Sequence, residues 1–262
     1  MKRSLRGLIG ALTSLALLGA MAGTAAAADD NAWVRVVHAS PDAPNVDVWV
    51  DGSVVLTDIP FTAVSDYLEL APGEYNVQVT ATGDTAPVID ADLTLEAGTA
   101  YTVAATGTLA EITPVVLTDD TATLSGQAKL RIFHASPSAP ASVDIAVAGG
   151  PVLVEELGYG EASGYLAVDP GDYEVEIRAA GEMDAALTVP ASLAAGMNVT
   201  AIAMDGGDAG VQVIVAVDAR AMADTAMTPQ SGSPVATLGL LLLAAALMLG
   251  GARLIRVRAI GR

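Results

Sequence analysis

The chain has 262 residues and a formal net charge of −18, with 12 lysines and arginines against 30 aspartates and glutamates. Three basic residues lie in the first six positions and four in the last ten, so the part between has five basic residues, all 30 acidic ones and a net charge of −25. Such a surface repels nucleic acid and anionic lipid headgroups, which argues against a nucleic-acid or phosphate-binding role. It suits cation binding or, since lysine occurs only at Lys2 and Lys129, adaptation to high salt.

The first 28 residues have the layout of a secretory signal peptide. Three basic residues precede an apolar run over residues 7–24, and the alanines from Ala26 to Ala28 supply a small-residue cleavage site before Asp29. An N-terminal membrane anchor that is never cut is the alternative. Because the chain has no cysteine, the exported protein is expected to fold without disulfides.

Two long segments then repeat each other. Residues 34–52 read VRVVHASPDAPNVDVWVDG and residues 130–149 read LRIFHASPSAPASVDIAVAG; likewise SDYLELAPGEYNVQV at 65–79 matches SGYLAVDPGDYEVEI at 163–177. The repeat predicts two modules, residues 29–120 and 129–219, joined by a polar linker at residues 121–128. Each is of a size that can bury its own core, and we expect each to melt as a unit.

Within each module the apolar residues alternate with polar ones, which is typical of half-buried strands. Tyr75, Val77 and Val79 should face one core, and Gly- or Pro-containing turns such as Asp51-Gly52 separate the strands. The predicted strands of the first module cover residues 33–38, 46–51, 53–57, 65–70, 74–81, 91–96, 99–106 and 111–117. This pattern predicts an all-β fold of two tandem antiparallel immunoglobulin-like β-sandwiches.

The C-terminal part reads as a stalk and an anchor. Residues 220–233 are rich in Ala, Thr and Ser, which predicts a flexible stalk. Residues 234–255 form an uninterrupted apolar stretch long enough for a transmembrane helix, and the arginines of the tail at residues 256–262 predict a cytoplasmic end. The segment TPQSG at residues 228–232 resembles an LPxTG sorting signal, with Thr228 and Ser231 departing from that pattern, so retention as a membrane helix is favoured over sortase cleavage.

The two histidines, His38 and His134, occupy the same place in both modules. A catalytic interpretation pairs His38 with Ser40, but two residues along a strand are separated by about 6.5–7 Å, too far for base and nucleophile. The favoured interpretation is a stiff S-P-x-A-P turn in which the imidazole bonds backbone groups. Contact with a metal or ligand remains a third possibility, and no catalytic residue is predicted.

Several aspartates suggest a calcium site, because calcium binds six to eight oxygen ligands in flexible loops. Asp42, Asp47, Asp51 and Asp58 follow the first histidine, but only Asp47 recurs exactly in the second module, as Asp144. The other places there hold Ser138, Ala148 and Glu155 or Glu156. We therefore predict that Asp47 and Asp144 accept backbone hydrogen bonds at turns. If a metal site exists, its candidates are His38, Asp42, Asp47, His134 and Asp144, with calcium as the possible cofactor.

Two further patterns suggest a binding site or a modification site. Trp33, Trp49 and Tyr67 could form a sugar-stacking platform, although the tryptophans are absent from the second module and a core or sheet-covering place is favoured. Asn198 begins an N-x-T acceptor pattern, but it lies in a predicted strand and is expected to be unused.

The H-A-S-P-x-A-P string followed by V-D, together with the second repeated block, resembles the prokaryotic surface-protein family known as domain of unknown function 4397. The resemblance covers residues 33–218 and implies exported or membrane-tethered modules, and it carries over no catalytic residue. The sequence thus predicts a membrane-anchored, extracellular or cell-wall protein with a noncatalytic binding, adhesion or envelope-structural role and an unknown glycan or protein partner. A metal- or glycan-dependent enzyme or sensor using the two HASP loops is the alternative.

Overall fold

The computed structural model describes residues 31–206 and 210–218. In this part of the chain the regular elements are β-strands, apart from one 3₁₀ turn at Leu109–Glu111, so the fold is all-β as predicted. No helix among these residues is long and apolar enough to span a membrane. The predicted signal peptide, stalk, transmembrane helix and basic tail lie outside the described residues.

The first copy of the repeat forms two four-stranded sheets, ordered β4-β1-β7-β8 and β3-β2-β5-β6. All eight strands predicted for this copy are present. Their bounds are Ala32–Ala39 (β1), Val46–Val50 (β2), Ser53–Ile59 (β3), Leu68–Leu70 (β4), Gly73–Ala81 (β5), Pro87–Leu95 (β6), Ala100–Thr106 (β7) and Thr113–Asp119 (β8).

The second copy repeats this arrangement, with sheets ordered β12-β9-β15-β16 and β11-β10-β13-β14. Its strands are Ala128–His134 (β9), Ser142–Val147 (β10), Val152–Gly158 (β11), Leu166–Val168 (β12), Gly171–Ala179 (β13), Ala185–Leu193 (β14), Asn198–Asp205 (β15) and Val211–Val217 (β16). The internal repeat in the sequence is therefore a repeat of one strand topology.

Each module contains one parallel strand pair, which corrects the fully antiparallel sandwich predicted from the sequence. β1 runs parallel to β7, from Trp33 opposite Ala100 to Ala39 opposite Thr106, and β9 runs parallel to β15 in the same way. Alternating polarity shows which face of a sheet a residue occupies but not the direction of the neighbouring strand. Parallel neighbouring strands need a long connection. Here the chain segment that connects them contains the strands of the other sheet.

The predicted Asp51-Gly52 turn joins β2 to β3 as a tight hairpin. Both residues have positive φ, 48° at Asp51 and 73° at Gly52, and Val50 pairs with Ser53 across the turn. Two consecutive positive φ angles are the requirement of a type I′ turn, which Asp-Gly satisfies at low cost.

The inner faces of the two sheets enclose a core within each module. In the first module Val34 on β1 packs in one cluster with Leu95 and Tyr101, and Tyr75 contacts that cluster from β5. Val79 lies in a second cluster of the same core. The prediction that alternate residues of β5 face a core is thus confirmed.

β1 is different, because all eight of its residues are buried. Its Val34 faces the core of its own module, whereas Val37 and Ala39, on the opposite face, pack into another apolar cluster. That cluster draws residues from both modules: Val37, Ala39, Ala104, Phe133, Ala135, Ile202, Met204 and Ala216. The two modules therefore share a core between their β1- and β9-containing sheets, and both belong to one compact unit.

Candidate functional site

His38 lies at the end of β1 and is fully buried, with 0% of its surface exposed. Its Nε2 lies 3.0 Å from the carbonyl oxygen of Pro44, and its Nδ1 lies 3.4 Å from the backbone nitrogen of Ser40. The partners assign a neutral ring in which Nε2–H donates to Pro44 and Nδ1 accepts from Ser40. Burial lowers the pKa of His38, because the charged imidazolium would lose its hydration.

His134 has the same place in the second module and is 1% exposed. Its Nε2 lies 2.9 Å from the carbonyl oxygen of Pro140. Each histidine also meets an aromatic ring edge-on, Phe61 for His38 at 6.1 Å between centroids and Tyr159 for His134 at 5.8 Å. Each imidazole thus bonds the carbonyl oxygen of the second proline in its own S-P-x-A-P turn, as the turn interpretation predicts.

Ser40 is not arranged as a nucleophile. Its backbone nitrogen, and not its hydroxyl, meets the ring of His38, and its buried Oγ has no hydrogen-bond partner among the described residues. A base and nucleophile pair requires a hydrogen bond between ring nitrogen and hydroxyl. In the second module, Ser136 bonds Asp205 with its hydroxyl. Neither serine is therefore placed to be activated by its histidine.

Asp47 and Asp144 anchor equivalent turns through backbone N–H groups. Asp47 accepts from the nitrogens of Asp58 at 2.8 Å and Gly83 at 3.1 Å, and also from the hydroxyl of Thr82 at 3.1 Å. These donors, that of Asp58 foremost, lower the pKa of Asp47, because they stabilise the ionised carboxylate.

Asp144 makes the corresponding contacts in the second module. It accepts from Glu156 at 2.8 Å and from Gly181 at 2.9 Å, and these two N–H groups lower the pKa of Asp144. The backbone role predicted for this recurring pair of aspartates agrees with the contacts of both residues.

The remaining aspartates of the calcium hypothesis bind separate partners. Asp42 is exposed and accepts from the backbone nitrogen of Leu109 at 2.7 Å. Asp51 accepts a hydrogen bond from the backbone nitrogen of Asn76 at 2.9 Å, and Asp58 accepts one from the side-chain nitrogen of Asn45 at 2.7 Å. In residues 31–206 and 210–218, no three acidic or histidine side chains gather in a group that could hold a metal ion.

The three aromatic residues considered as a sugar platform do not share a surface. Trp33 is buried at 8% exposure on β1. Trp49 is on β2, in the other sheet, where its indole N–H donates to the hydroxyl of Thr80 at 3.1 Å. Tyr67 points its hydroxyl to Asp119, 2.6 Å away. Trp49 therefore covers its sheet, as the favoured interpretation predicts.

Asn198, the N-x-T asparagine, is fully buried. Its side-chain nitrogen donates to the carbonyl oxygens of Asp120 and Ala122, both at 2.9 Å. Lys129 donates to Ala122 as well, at 2.6 Å, and to the carboxylate of Asp120 at 2.5 Å. These bonds hold the start of the linker against the second module, and they leave the asparagine without the exposure that glycosylation needs.

A buried polar network joins the two modules and was not predicted from the sequence. Arg35 of β1 donates to the carboxylate of Asp218 and to the carbonyl oxygen of Val217, the latter at 3.0 Å. Arg131 of β9 donates in return to the carboxylate of Asp119 and to the carbonyl oxygen of Thr118, at 2.9 Å. Each arginine therefore reaches the last strand of the other module.

Each of these carboxylates is also bound within its own module. Asp119 accepts from the hydroxyls of Thr102 and Tyr67, both at 2.6 Å. Asp218 accepts from the hydroxyls of Thr200 at 2.7 Å and Tyr165 at 2.9 Å. The two halves match, and each arginine binds the aspartate of the other module, while Arg35 also lies 3.7 Å from Asp119 of its own module.

A family model described as "Domain of unknown function (DUF4397)" matches residues 32–146 and 141–230. The chain belongs to the DUF4397 family. The two matches overlap at residues 141–146 and are consistent with two tandem copies, which confirms the family resemblance.

Among solved structures, this DUF4397 chain matches the Bacillus anthracis TIE protein with 12% sequence identity and a TM-score of 0.24. The match covers 67% of this chain and 34% of that one, so the chain spans about a third of the length of that protein. No curated protein matched the chain.

The electrostatics of the DUF4397 network favour the charged pairs. Burial by itself lowers the pKa of Arg35, but the carboxylates of Asp218 and Asp119 outweigh it and raise the pKa overall. Burial and the carboxylate of Asp119 raise the pKa of Tyr67, and burial and Asp218 raise that of Tyr165. Arg35 therefore stays charged and the two tyrosines stay neutral, so each tyrosine remains a donor to its carboxylate.

One signal in the sequence could have revealed this network. Arg35 and Arg131 are the same residue at the same place in two largely apolar strands, and a buried arginine requires a carboxylate partner. Their partners lie at matching places, with Asp119 at the end of β8 and Asp218 directly after β16. The sequence does not show that each arginine pairs with the aspartate of the other module, because pairing within the same module would produce an identical sequence pattern.

Proposed function

We propose that this DUF4397 chain is an exported, membrane-anchored and noncatalytic surface protein whose two modules act together as one rigid binding or envelope-structural element. The proposal includes the cleaved signal peptide at residues 1–28, the stalk at 220–233, the transmembrane helix at 234–255 and the cytoplasmic tail. It also includes an immunoglobulin-like description of each module, in the architectural sense of two facing sheets of short strands.

The reciprocal ion pairs between the modules carry the proposal. Arg35 and Asp218 have side chains that are 2% and 0% exposed, and Arg131 and Asp119 are 4% and 0% exposed. Removing one member of such a pair leaves a buried charge without its partner, so relative motion of the modules is costly. Fixed geometry over two modules is useful in an element that presents a surface at a distance from the membrane.

The candidate chemical groups support the noncatalytic part of the proposal. His38 and His134 are hydrogen-bonded to proline carbonyl groups. Asp47 and Asp144 are hydrogen-bonded to backbone N–H groups. A general base needs an open approach to a substrate proton, which a ring buried to 0% exposure does not offer. The alternative enzyme or sensor at the HASP loops is therefore less well supported by this geometry.

Localisation is tested on cells that express the full chain. We expect mass spectrometry to find a mature N-terminus at Asp29, and protease added to intact cells to release the part before the apolar C-terminal run. A mature protein that begins at Met1 would contradict the proposal. So would a protein that resists protease added to intact cells but is digested when the cells are lysed.

The binding role is tested with glycan and protein arrays, with and without calcium, using wild-type chain and a His38→Gln variant. Under the proposal any binding partner is retained by the folded variant, because His38 is internal. Binding or turnover that requires calcium and is lost in a variant with an unchanged circular dichroism spectrum would favour the metal- or glycan-dependent alternative.

A further inference from the structure

Lys129 lies beside the side chain of Asn198 in the second module. Apart from Lys2 it is the only lysine of the chain. The two residues are partners in the parallel ladder of β9 and β15. The Nζ of Lys129 and the Nδ2 of Asn198 donate to the same carbonyl oxygen, that of Ala122, at 2.6 Å and 2.9 Å. An amine and a carboxamide are therefore held within a few ångströms of each other.

Asp120 contacts both of these groups. Its carboxylate accepts from the Nζ of Lys129 at 2.5 Å, and its backbone carbonyl oxygen accepts from the Nδ2 of Asn198 at 2.9 Å. An ammonium group becomes a nucleophile only after it loses a proton, and a neighbouring carboxylate can accept that proton. Asp120 is thus placed to act as the base for an attack by Lys129 on Asn198.

The carboxamide of Asn198 is buried and only half satisfied. Its Nδ2 donates two hydrogen bonds, whereas its Oδ1 has no partner among the described residues, at 0% exposure. A buried acceptor without a partner is costly, and its presence in a folded protein calls for an explanation. The side chain of Lys129 is 12% exposed, so the amine and the carboxamide meet where most water is excluded.

The first module has neither of these groups. The repeat places Trp33 where the second module has Lys129, and Ala100 where it has Asn198, and these two residues also pair across parallel strands. The same strand pair therefore forms without an amine or a carboxamide at this place. The fold alone does not account for the lysine and the asparagine of the second module.

We propose that Lys129 and Asn198 join in an isopeptide bond between Nζ and Cγ. Asp120 takes a proton from Nζ, the neutral amine attacks Cγ, and the bond from Cγ to Nδ2 breaks. The two protons that Nζ loses end on Nδ2, which leaves as ammonium, and Asp120 is a carboxylate again at the end. The step is an amide exchange, so it needs neither an oxidant nor a reductant.

The surroundings suit this reaction. Holding the amine against the carboxamide makes the attack intramolecular, which removes the entropic cost of bringing the two groups together. The side chain of Asp120 is 41% exposed, so the released ammonium has a route to water. The bond would tie the first strand of the second module to its seventh in a chain that has no cysteine for a disulfide. This inference goes beyond the proposed surface role and does not depend on it, because the bond forms inside a folded module.

The test is mass spectrometry of the full chain, purified in the folded state and then denatured. We expect an intact mass that is one ammonia molecule below that of the processed sequence. Trypsin should not cut after Lys129, and the digest should contain a branched species that joins residues 36–131 to residues 179–220. An intact mass without this loss, together with separate peptides 36–129 and 179–220, would overturn the proposal.

Two variants test the roles of the amine and the amide. Lys129→Arg keeps a positive charge beside Asp120 but cannot form this bond, so we expect its mass to be that of the processed sequence. Asn198→Asp is the matched control for the leaving group, since a bond formed there releases water in place of ammonia. Ammonia loss that persists in Lys129→Arg would come from another reaction, such as ring closure at an asparagine, and would refute the bond.

A third variant, Asp120→Asn, removes the base. We expect the bond to form about a hundred times more slowly, so that freshly purified protein is mostly without it. A full yield in this variant would refute the role of Asp120. The wild-type digest decides whether the bond exists even if a variant fails to fold, and surface localisation is measured separately, so failure here leaves that outcome untouched.

Discussion

Arg35 and Asp218 lie 183 positions apart and form a buried ion pair between the two modules. The pair is repeated in reverse by Arg131 and Asp119. Each module supplies one arginine and one aspartate, and the closest ion pair of each arginine is with the aspartate of the other module. The tandem repeat is thus a pseudo-symmetric pair in which the two copies stabilise each other.

Replacing Arg35 by methionine should lower the free energy of unfolding by about 3–5 kcal/mol, because Asp218 would keep its buried charge without the arginine. The double variant Arg35→Met/Asp218→Leu should recover part of that loss, since no unpaired charge remains but the hydroxyls of Thr200 and Tyr165 lose their acceptor. Urea denaturation measures both. The control is Arg178→Met, which breaks a more exposed pair with Glu176 and should cost about 1 kcal/mol or less. Equal losses at Arg35 and Arg178 would contradict the role of the buried network.

The described modules should unfold in one calorimetric transition, because their shared core and ion pairs are lost together. This expectation replaces the separate melting anticipated from the polar linker. Differential scanning calorimetry of the full chain, compared with the Arg35→Met variant, measures it. Two well-separated transitions in the wild-type chain would show that the interface contributes little.

Thr62→Gly should stabilise the protein by about 1 kcal/mol. Thr62 has φ of 73°, a left-handed conformation that is costly for a β-branched residue. Gly160 has φ of 79° at the matching place, and each of these residues donates its N–H to the carbonyl oxygen of its module's histidine.

The reciprocal variant Gly160→Thr should destabilise the protein by about 1–3 kcal/mol through backbone strain. No atom lies within 4 Å of an added Cβ at Gly160, so a steric clash cannot account for a loss. Thermal melts of the two variants measure both effects, and changes of the same sign would refute the strain argument.

Ser40→Ala should be neutral or slightly stabilising, because the buried Ser40 hydroxyl has no partner among the described residues. Ser136→Ala should cost about 1 kcal/mol, since it removes a hydrogen bond to Asp205. Chemical denaturation of the two variants compares the same substitution at the same place in both repeats. A larger loss at Ser40 than at Ser136 would show that the Ser40 hydroxyl has a function not explained by these contacts.

Stability should fall as the pH drops below the unfolded-state pKa of His38, near 6.5. Burial lowers the folded-state pKa of this residue, so the unfolded chain takes up a proton first and is stabilised by it. The loss should develop between that value and the lower folded-state pKa, and it should be smaller in His38→Gln. Denaturation midpoints measured from pH 7.5 to pH 5 check the sign, and an equal pH dependence in both proteins would be inconsistent with it.

The contacts of Asp47 and Asp144 act at lower pH. Their folded-state pKa values lie below the ordinary value of 3.8, because backbone N–H groups bind the ionised forms. Their contribution is therefore present above that value and is lost as the pH falls through the folded-state pKa. This loss is separated in pH from that of His38.

The sequence by itself determined the all-β fold, the number and approximate bounds of the strands and the Asp51-Gly52 turn. Those features follow from local rules, namely alternation of side chains along a strand and the fixed backbone angles of proline and glycine. Only the tertiary structure decided that β1 and β7 run parallel, that both faces of β1 are buried and that Arg35 pairs with Asp218. Alternation is the same for either strand direction, and an arginine in an apolar strand indicates a carboxylate partner without indicating which module supplies it.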